Sequence, residues 1–313
     1  MSCCARTRSA VGRTLDVSQP SIRKATRHAF LLGQHISHSL SPAIFNTTFA
    51  ALGLNYAYDL LDVPPDRLQD ALTRMRQPDC LGGNVTMPYK HAVLAVADEC
   101  SEAVRRCGAA NLLANREGRF ALENTDVEAI ATCLARRAVT IMRGPAVIIG
   151  AGGAAAAMLE AMRRVPPTRI LILARHPDRA KALVDRACKW LPVPIDAGDL
   201  RDGAPALARA ALILNATSLG MQDGDSSPVP KRALRPAQLV YDIVYNRKQY
   251  TQLQSEALDA GALVCDGLTH QIEQAPPTFR LLTGCDGPRE IMLKAQVAVT
   301  GRQPLAWGSD AAD

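Results

Sequence analysis

The chain has 313 residues, with 48% hydrophobic and 21% charged, which suits a globular protein of two domains with an ample core. No uncharged apolar run reaches the ~18 residues of a membrane span, and 4% aromatics leave the core to aliphatic side chains. Of the net charge of +6, +5 lies in residues 1–28, where Arg6, Arg8, Arg13, Arg23, Lys24 and Arg27 face Asp16 alone. Such a tail suits nucleic acid or an import system, but it reads here as a disordered extension, and it lacks the apolar stretch of a secretion signal. Nine cysteines form no CxxC pair and, with six scattered histidines, fit no zinc site. They read as buried hydrophobes in a reducing compartment. The expectation is a cytoplasmic protein that takes a small-molecule substrate, with no metal, nucleic acid or membrane partner.

In chain order, Ala29–Gln34 reads as a strand. Ser41 and Pro42 then open a helix, Ser41 as N-cap and Pro42 in the first turn, and Gly53 closes it. "YAYDLLDV" reads as a strand, "DRLQDALTRMR" as a helix and "GGNVT" as a third strand. A second run begins at Ala146, where "AVIIGAGGAAAAMLEAM" is a strand, a glycine turn and a helix. "RILILAR", "PDRAKALVDRACKWL", "ALILNATSLGM", "LVYDIVYN" and "ALVCDGL" continue the alternation. The fold class is α/β: a substrate domain followed by a Rossmann-type doubly wound domain.

Gly150, Gly152 and Ala155 satisfy G-x-G-x-x-A between strand and helix. The first glycine permits the turn, the second lets the backbone approach a pyrophosphate, and the small third residue lets helix and strand pack. Gly150, Ala151, Gly152, Gly153 and Ala154 are therefore cofactor candidates. At the end of the next strand an NAD site carries an acid for the ribose 2′-hydroxyl. Here the residues are Arg175 and His176, with Arg179 one turn on, and a guanidinium fork suits a phosphate. The expected cofactor is NADP, although Asp178 lies between the two arginines.

Lys90, in "LGGNVTMPYKHAV", is the only charged residue between Asp79 and Asp98. The segment around it resembles the N-V-T-x-P-x-K motif of the shikimate dehydrogenase family, shikimate and quinate members included. "SHSLSP" is similar to the family's Ser-x-Ser-Pro motif, and "GAANLL", "ENTDV", "NATSLGM", "YDIVYN" and "DGLTHQIEQ" follow the family's order from about Ala29 to Ala295. The resemblance implies that Lys90 and Asp126 form the acid/base pair of an alcohol dehydrogenation. Asp126 would orient the amine and bond the reacting hydroxyl, and desolvation or nearby positive charge must oppose its pull on the lysine. It also implies a polyhydroxy carboxylate held by Ser39, Ser41, Asn84, Thr86, Asn111, Tyr245 and Gln274, and a cofactor that also meets Thr217 and Gly267.

The implied activity is NADP-dependent interconversion of 3-dehydroshikimate and shikimate. The alternatives are a quinate or related cyclohexane-carboxylate dehydrogenase that uses NAD, or a ligand-binding paralogue without turnover. Ser-x-Ser favours shikimate over quinate. The expected division is 1–28 extension, 29–126 substrate domain completed by 267–304, 127–266 cofactor domain and 305–313 tail, in a monomer or homodimer. Four features depart from the family. Val127 and Leu122 stand where glycine is usual, and Leu112 replaces a threonine. Thr269, His270 and Gln271 replace Gly-Met-Leu. Pro276 and Pro277 follow Gln274 closely, so the helix there is expected to start late or kink.

Overall fold

The computed structural model describes residues 26–307, arranged around two six-stranded sheets. The first contains β1 (Arg27–Gly33), β2 (Tyr56–Asp62), β3 (Cys80–Val85), β4 (Glu99–Cys100), β5 (Leu112–Arg116) and β6 (Arg119–Glu123), in the order β2-β1-β3-β5-β6-β4. β1 pairs in parallel with β2 and β3 through helical crossovers, and β3 meets β5 antiparallel. The apolar run of β1 and all six residues of β3 are buried, as strands covered on both faces require. Arg27 and His28, expected in the extension, are the first residues of β1. Residues 1–25 lie outside the described chain.

The second sheet contains β7 (Ala146–Ile149), β8 (Ile170–Ala174), β9 (Ile195–Asp199), β10 (Leu212–Asn215), β11 (Leu239–Asp242) and β12 (Leu263–Cys265). It is parallel throughout, in the order β12-β11-β10-β7-β8-β9. Read from β9, this is the 3-2-1-4-5-6 order of the dinucleotide fold, whose switch point opens a crevice beside the first strand.

After β12 the chain returns to the first unit. Helix Gly267–Thr283 places Leu268, Ile272, Ala275, Phe279 and Leu282 in one core with Ile44, Phe45, Phe49 and Tyr58, and helix Arg289–Thr300 adds Met292. Pro276 and Pro277 lie inside the first of these helices, which runs unbroken, contrary to the expected late start. Asp266 caps it by accepting from Thr269 N–H at 2.9 Å, and Gly284 ends it in the left-handed conformation. Burial of its apolar face offsets the ~3 kcal/mol that an interior proline costs.

Two further expectations are corrected. Helix Ser41–Ala51 begins at Ser41, so Ser41 is its first residue and no side chain caps it. Of the tail expected from residue 305, the described residues 305–307 are anchored: Trp307 is 1% exposed and donates Nε1–H to the Cys133 carbonyl at 2.8 Å, while Ala306 bridges to Cys265. Among the described residues, no helix is long and apolar enough to cross a membrane.

Candidate active site

Past β3 the chain turns tightly, with Tyr89 N–H donating to the Thr86 carbonyl, and the Lys90 carbonyl accepts from Ala110 N–H at 2.9 Å. This fixes the Lys90 backbone beside the start of β5. Asp126 lies in the first turn of helix Thr125–Ala135, directly after β6. Asn111 joins the two segments. Its Nδ2 donates to Asp126 Oδ1 at 2.7 Å, and its Oδ1 accepts from Thr125 N–H at 2.7 Å. Lys90 Nζ then reaches Asp126 Oδ2 at 2.6 Å, with side chains 18% and 7% exposed. Burial disfavours the charged Asp126 carboxyl, but the Lys90 ammonium and His270 outweigh it and hold the group well below the usual carboxylate range. Val127 continues the same helix in the core, so its place after Asp126 requires no left-handed backbone.

A polar cluster extends from this pair. Tyr58 OH donates to Asn84 Oδ1 at 2.8 Å, and Asn84 Nδ2 stands 3.4 Å from Gln274 Oε1 and from Thr278 Oγ. Thr125 and Thr278 hydroxyls are 2.9 Å apart. His270, Gln274 and Thr278 recur every four residues on helix Gly267–Thr283, which stacks them on one face. Gln271, beside them, donates Nε2–H to Ser41 Oγ at 3.3 Å. Ser39 Oγ accepts from Ser41 N–H at 3.2 Å, and Arg247 donates to the Ser39 carbonyl at 2.6 Å. Burial pushes the Tyr245 phenol up, opposed by the Leu40 backbone, Arg247, Ser39 and Gln271 around it. The structure therefore places Asn84, Asn111 and Gln274 with the lysine–aspartate pair, and Ser39, Ser41 and Tyr245 in a second group joined through Gln271. Thr86 sits at the end of β3, its methyl packed against Gly33.

On the Rossmann side, Gly150 has φ +105° and runs so close to Ala216 that a Cβ would stand 3.1 Å from its carbonyl. A Cβ on Gly152 would meet nothing within 4 Å, which leaves the backbone of the turn open to a ligand. At Gly153 a Cβ would lie 3.3 Å from Ala109 Cβ and 3.5 Å from Lys90 Cδ, so the glycine turn abuts the Lys90 stem. Ala151 and Ala154 complete the turn and open helix Gly153–Ala161. Arg175, His176 and Arg179 are exposed past β8, and the two guanidiniums make no ion pair among the described residues. Thr217 is held by Asn215, whose Oδ1 accepts from Thr217 Oγ–H at 2.7 Å. A Cβ on Gly267 would meet the Ile243 carbonyl at 2.4 Å, so this glycine lets the return helix start against the loop after β11.

Several site residues escape sequence reasoning. His270 Nε2 is 3.2 Å from Asp126 Oδ1, and its Nδ1 is 2.7 Å from Tyr241 OH. Thr125, Thr278 and Tyr58 complete the polar cluster. Asp242 accepts from Asn215 Nδ2 at 2.8 Å, Thr251 Oγ at 2.7 Å and Gln254 Nε2 at 2.9 Å, and so acts on Thr217 through Asn215. His270 and Thr278 carried a local signal, their four-residue spacing from Gln274.

A parallel sheet of this order, with a glycine turn against a buried lysine–aspartate pair, defines a two-part α/β protein of the dinucleotide-dependent oxidoreductase class. The family model for the shikimate dehydrogenase substrate binding domain matches residues 31–113. The NADP+ shikimate dehydrogenase of Symbiobacterium thermophilum is 37% identical over 88% of this chain and 95% of its own. That of Rubrobacter xylanophilus is 38% identical over 86% and 95%. The chain belongs to the shikimate dehydrogenase family. Among solved structures, the shikimate 5-dehydrogenase of Thermus thermophilus in complex with NADP(H) and shikimate is similar at TM-score 0.76 and 31% identity, covering 87% of this chain and 99% of that one. The quinate dehydrogenase of Corynebacterium glutamicum in complex with NAD aligns at TM-score 0.79 and 26% identity, with 87% and 99% covered.

Proposed function

We propose that this chain is an NADP-dependent oxidoreductase that interconverts 3-dehydroshikimate and shikimate. The observation that carries the reading is the Lys90–Asp126 pair, 2.6 Å apart, set against the glycine turn of the Rossmann sheet. Lys90 exchanges the proton of the reacting alcohol oxygen, taking it on oxidation and returning it on reduction. Asp126 holds the amine in place and balances the charge of the ammonium that forms when the proton arrives. Asn84, Thr86, Asn111 and Gln274 bond the ring hydroxyls, and Ser39, Ser41 and Tyr245 hold the carboxylate. The residues present fit NADP: the open backbone at Gly152, the helix N-terminus at Gly153 and the free guanidiniums of Arg175 and Arg179 suit a pyrophosphate and a 2′-phosphate, with His176, Thr217 and Gly267 near by. When bound, NADP supplies the hydride acceptor or donor for the alcohol carbon.

Residues 29–126 with 267–304 form the substrate unit in this reading, and 127–266 the cofactor unit. The protein works in the cytoplasm as a monomer or homodimer. The test is reduction of NADP+ and NAD+ by the full chain with shikimate and with quinate. Turnover of shikimate with NADP+ well above the other three combinations is expected. Turnover of quinate with NAD+ alone would overturn the reading, and binding of both ligands without turnover would make the chain a binding paralogue.

A further inference from the structure

Among the described residues, Asp126 has a partner that no proton-transfer role uses. His270 is 7% exposed, and it lies between Tyr241 OH, 2.7 Å from Nδ1, and Asp126 Oδ1, 3.2 Å from Nε2. The three side chains come from β11, helix Gly267–Thr283 and helix Thr125–Ala135. We propose that Tyr241 and His270 form a positioning relay that fixes the Asp126 carboxylate for its work with Lys90, the pair proposed above.

The direction of the relay follows from the hydrogen-bond chemistry. An ionised carboxylate only accepts, so His270 Nε2 carries the hydrogen and donates. Burial keeps the Tyr241 phenol protonated, and it donates into Nδ1, which selects the tautomer that aims Nε2–H at Asp126. Asp126 Oδ1 thus takes two donors, His270 and Asn111, while Oδ2 takes Lys90. Two bonds on one oxygen and one on the other set both the plane and the torsion of the carboxylate. The edge-on contact of the Tyr241 and His270 rings, at 88° between planes, and the tilted packing of Tyr241 on Trp307 hold the relay rigid. A methionine at position 270 would fill similar space but would donate nothing to Asp126.

The experiment is steady-state kinetics on the full chain with shikimate and NADP+, alongside thermal melts. His270→Met is expected to lower kcat about tenfold, as for loss of a hydrogen bond to a charged group, with both KM values within about twofold. His270→Gln, whose amide donates at similar reach, is expected to recover kcat to within about threefold of wild type. Tyr241→Phe leaves the donor but frees the tautomer, and a loss of about threefold is expected. Lys90→Ala separates this proposal from the reading beneath it. If Lys90→Ala abolishes turnover while His270→Met keeps wild-type kcat, the relay is overturned and the lysine–aspartate reading stands. If Lys90→Ala turns over normally, that reading fails first. Equal impairment of the Met and Gln variants would reduce His270 to packing and overturn the relay. Should His270→Met not fold, Tyr241→Phe decides: an unchanged kcat overturns the relay and a threefold loss supports it.

Discussion

In the function proposed above, Lys90 and Asp126 act as a unit, and a unit has a recognisable mutational signature. Lys90→Ala is expected to lower kcat by ~10²–10⁴, the range for loss of a general acid/base. KM for shikimate should move little, because on that proposal Asn84, Asn111 and Gln274 still hold the ring and Ser39 and Ser41 the carboxylate. Asp126→Asn should also depress kcat, and the double variant should be little worse than the poorer single. Multiplicative losses in that cycle would mean that the two residues work separately. In the second unit, Arg175 lies exposed beyond β8 without an ion pair among the described residues. Arg175→Ala is therefore expected to weaken NADP about 10- to 100-fold, the worth of a charge-assisted bond or two, and to leave NAD nearly unchanged. Titration of both cofactors by tryptophan fluorescence or calorimetry measures it, and equal losses would show that Arg175 does not read the phosphate.

The loops at the carboxyl ends of β10 and β11 depend on one buried acid. Asp242 accepts from Asn215, Thr251, Gln254 and the Val244 backbone. Burial pushes its carboxyl up to about 6, against the pull of those donors. The folded state therefore holds a proton that the unfolded chain releases near pH 4, and this contribution to stability falls as pH rises from about 4 to 6. The size is on the order of 3 kcal/mol for a shift of about two units. Asp242→Asn removes the titration and turns an amide N–H toward donors, so it should destabilise by ~1–3 kcal/mol at neutral pH. The gap to wild type should narrow between pH 4 and 6.5 in urea melts. A gap that widens would reverse the sign and refute the assignment.

At this scale the sequence is legible where apolar pattern and turn chemistry agree. β1, β7, β8, β10 and β11 hold apolar runs, and the glycine turn sits between a strand and a helix as its motif requires. The hairpin β5–β6 carries its signal in the turn rather than in its apolar pattern. Glu117 and Gly118 both have positive φ, 55° and 84°, the two-residue turn that suits a hairpin. β9 carries almost none, because it is an edge strand with no fully buried residue. His270 stands out in the sequence as a departure, but its role was not legible there. Asp126 lies 144 positions away, and only the return of the last helices brings the two together.

That return shapes the whole molecule. The chain leaves the first sheet after β6, builds the second, and comes back through helix Gly267–Thr283, which supplies both core to the first unit and polar side chains to the site. Leu305, Ala306 and Trp307 then run back onto the second unit. Trp307 fills the core formed by Leu134, Ile141, Tyr241 and Cys265 and anchors its indole N–H on the Cys133 carbonyl. The final described residues thus lock the Rossmann side after the substrate side has been closed. Trp307→Ala should create a cavity in that core and cost ~3–5 kcal/mol, the usual range for a buried large aromatic. Trp307→Phe keeps most of the volume but leaves the Cys133 carbonyl without its donor, and should cost nearer ~1–3 kcal/mol. Urea unfolding of both variants measures the difference. With the lysine–aspartate pair untouched, kcat at about 25 °C should fall far less than it does in Lys90→Ala. If Trp307→Ala melted like wild type, the carboxyl-terminal segment would not be a structural lock, and truncation before residue 305 would be tolerated.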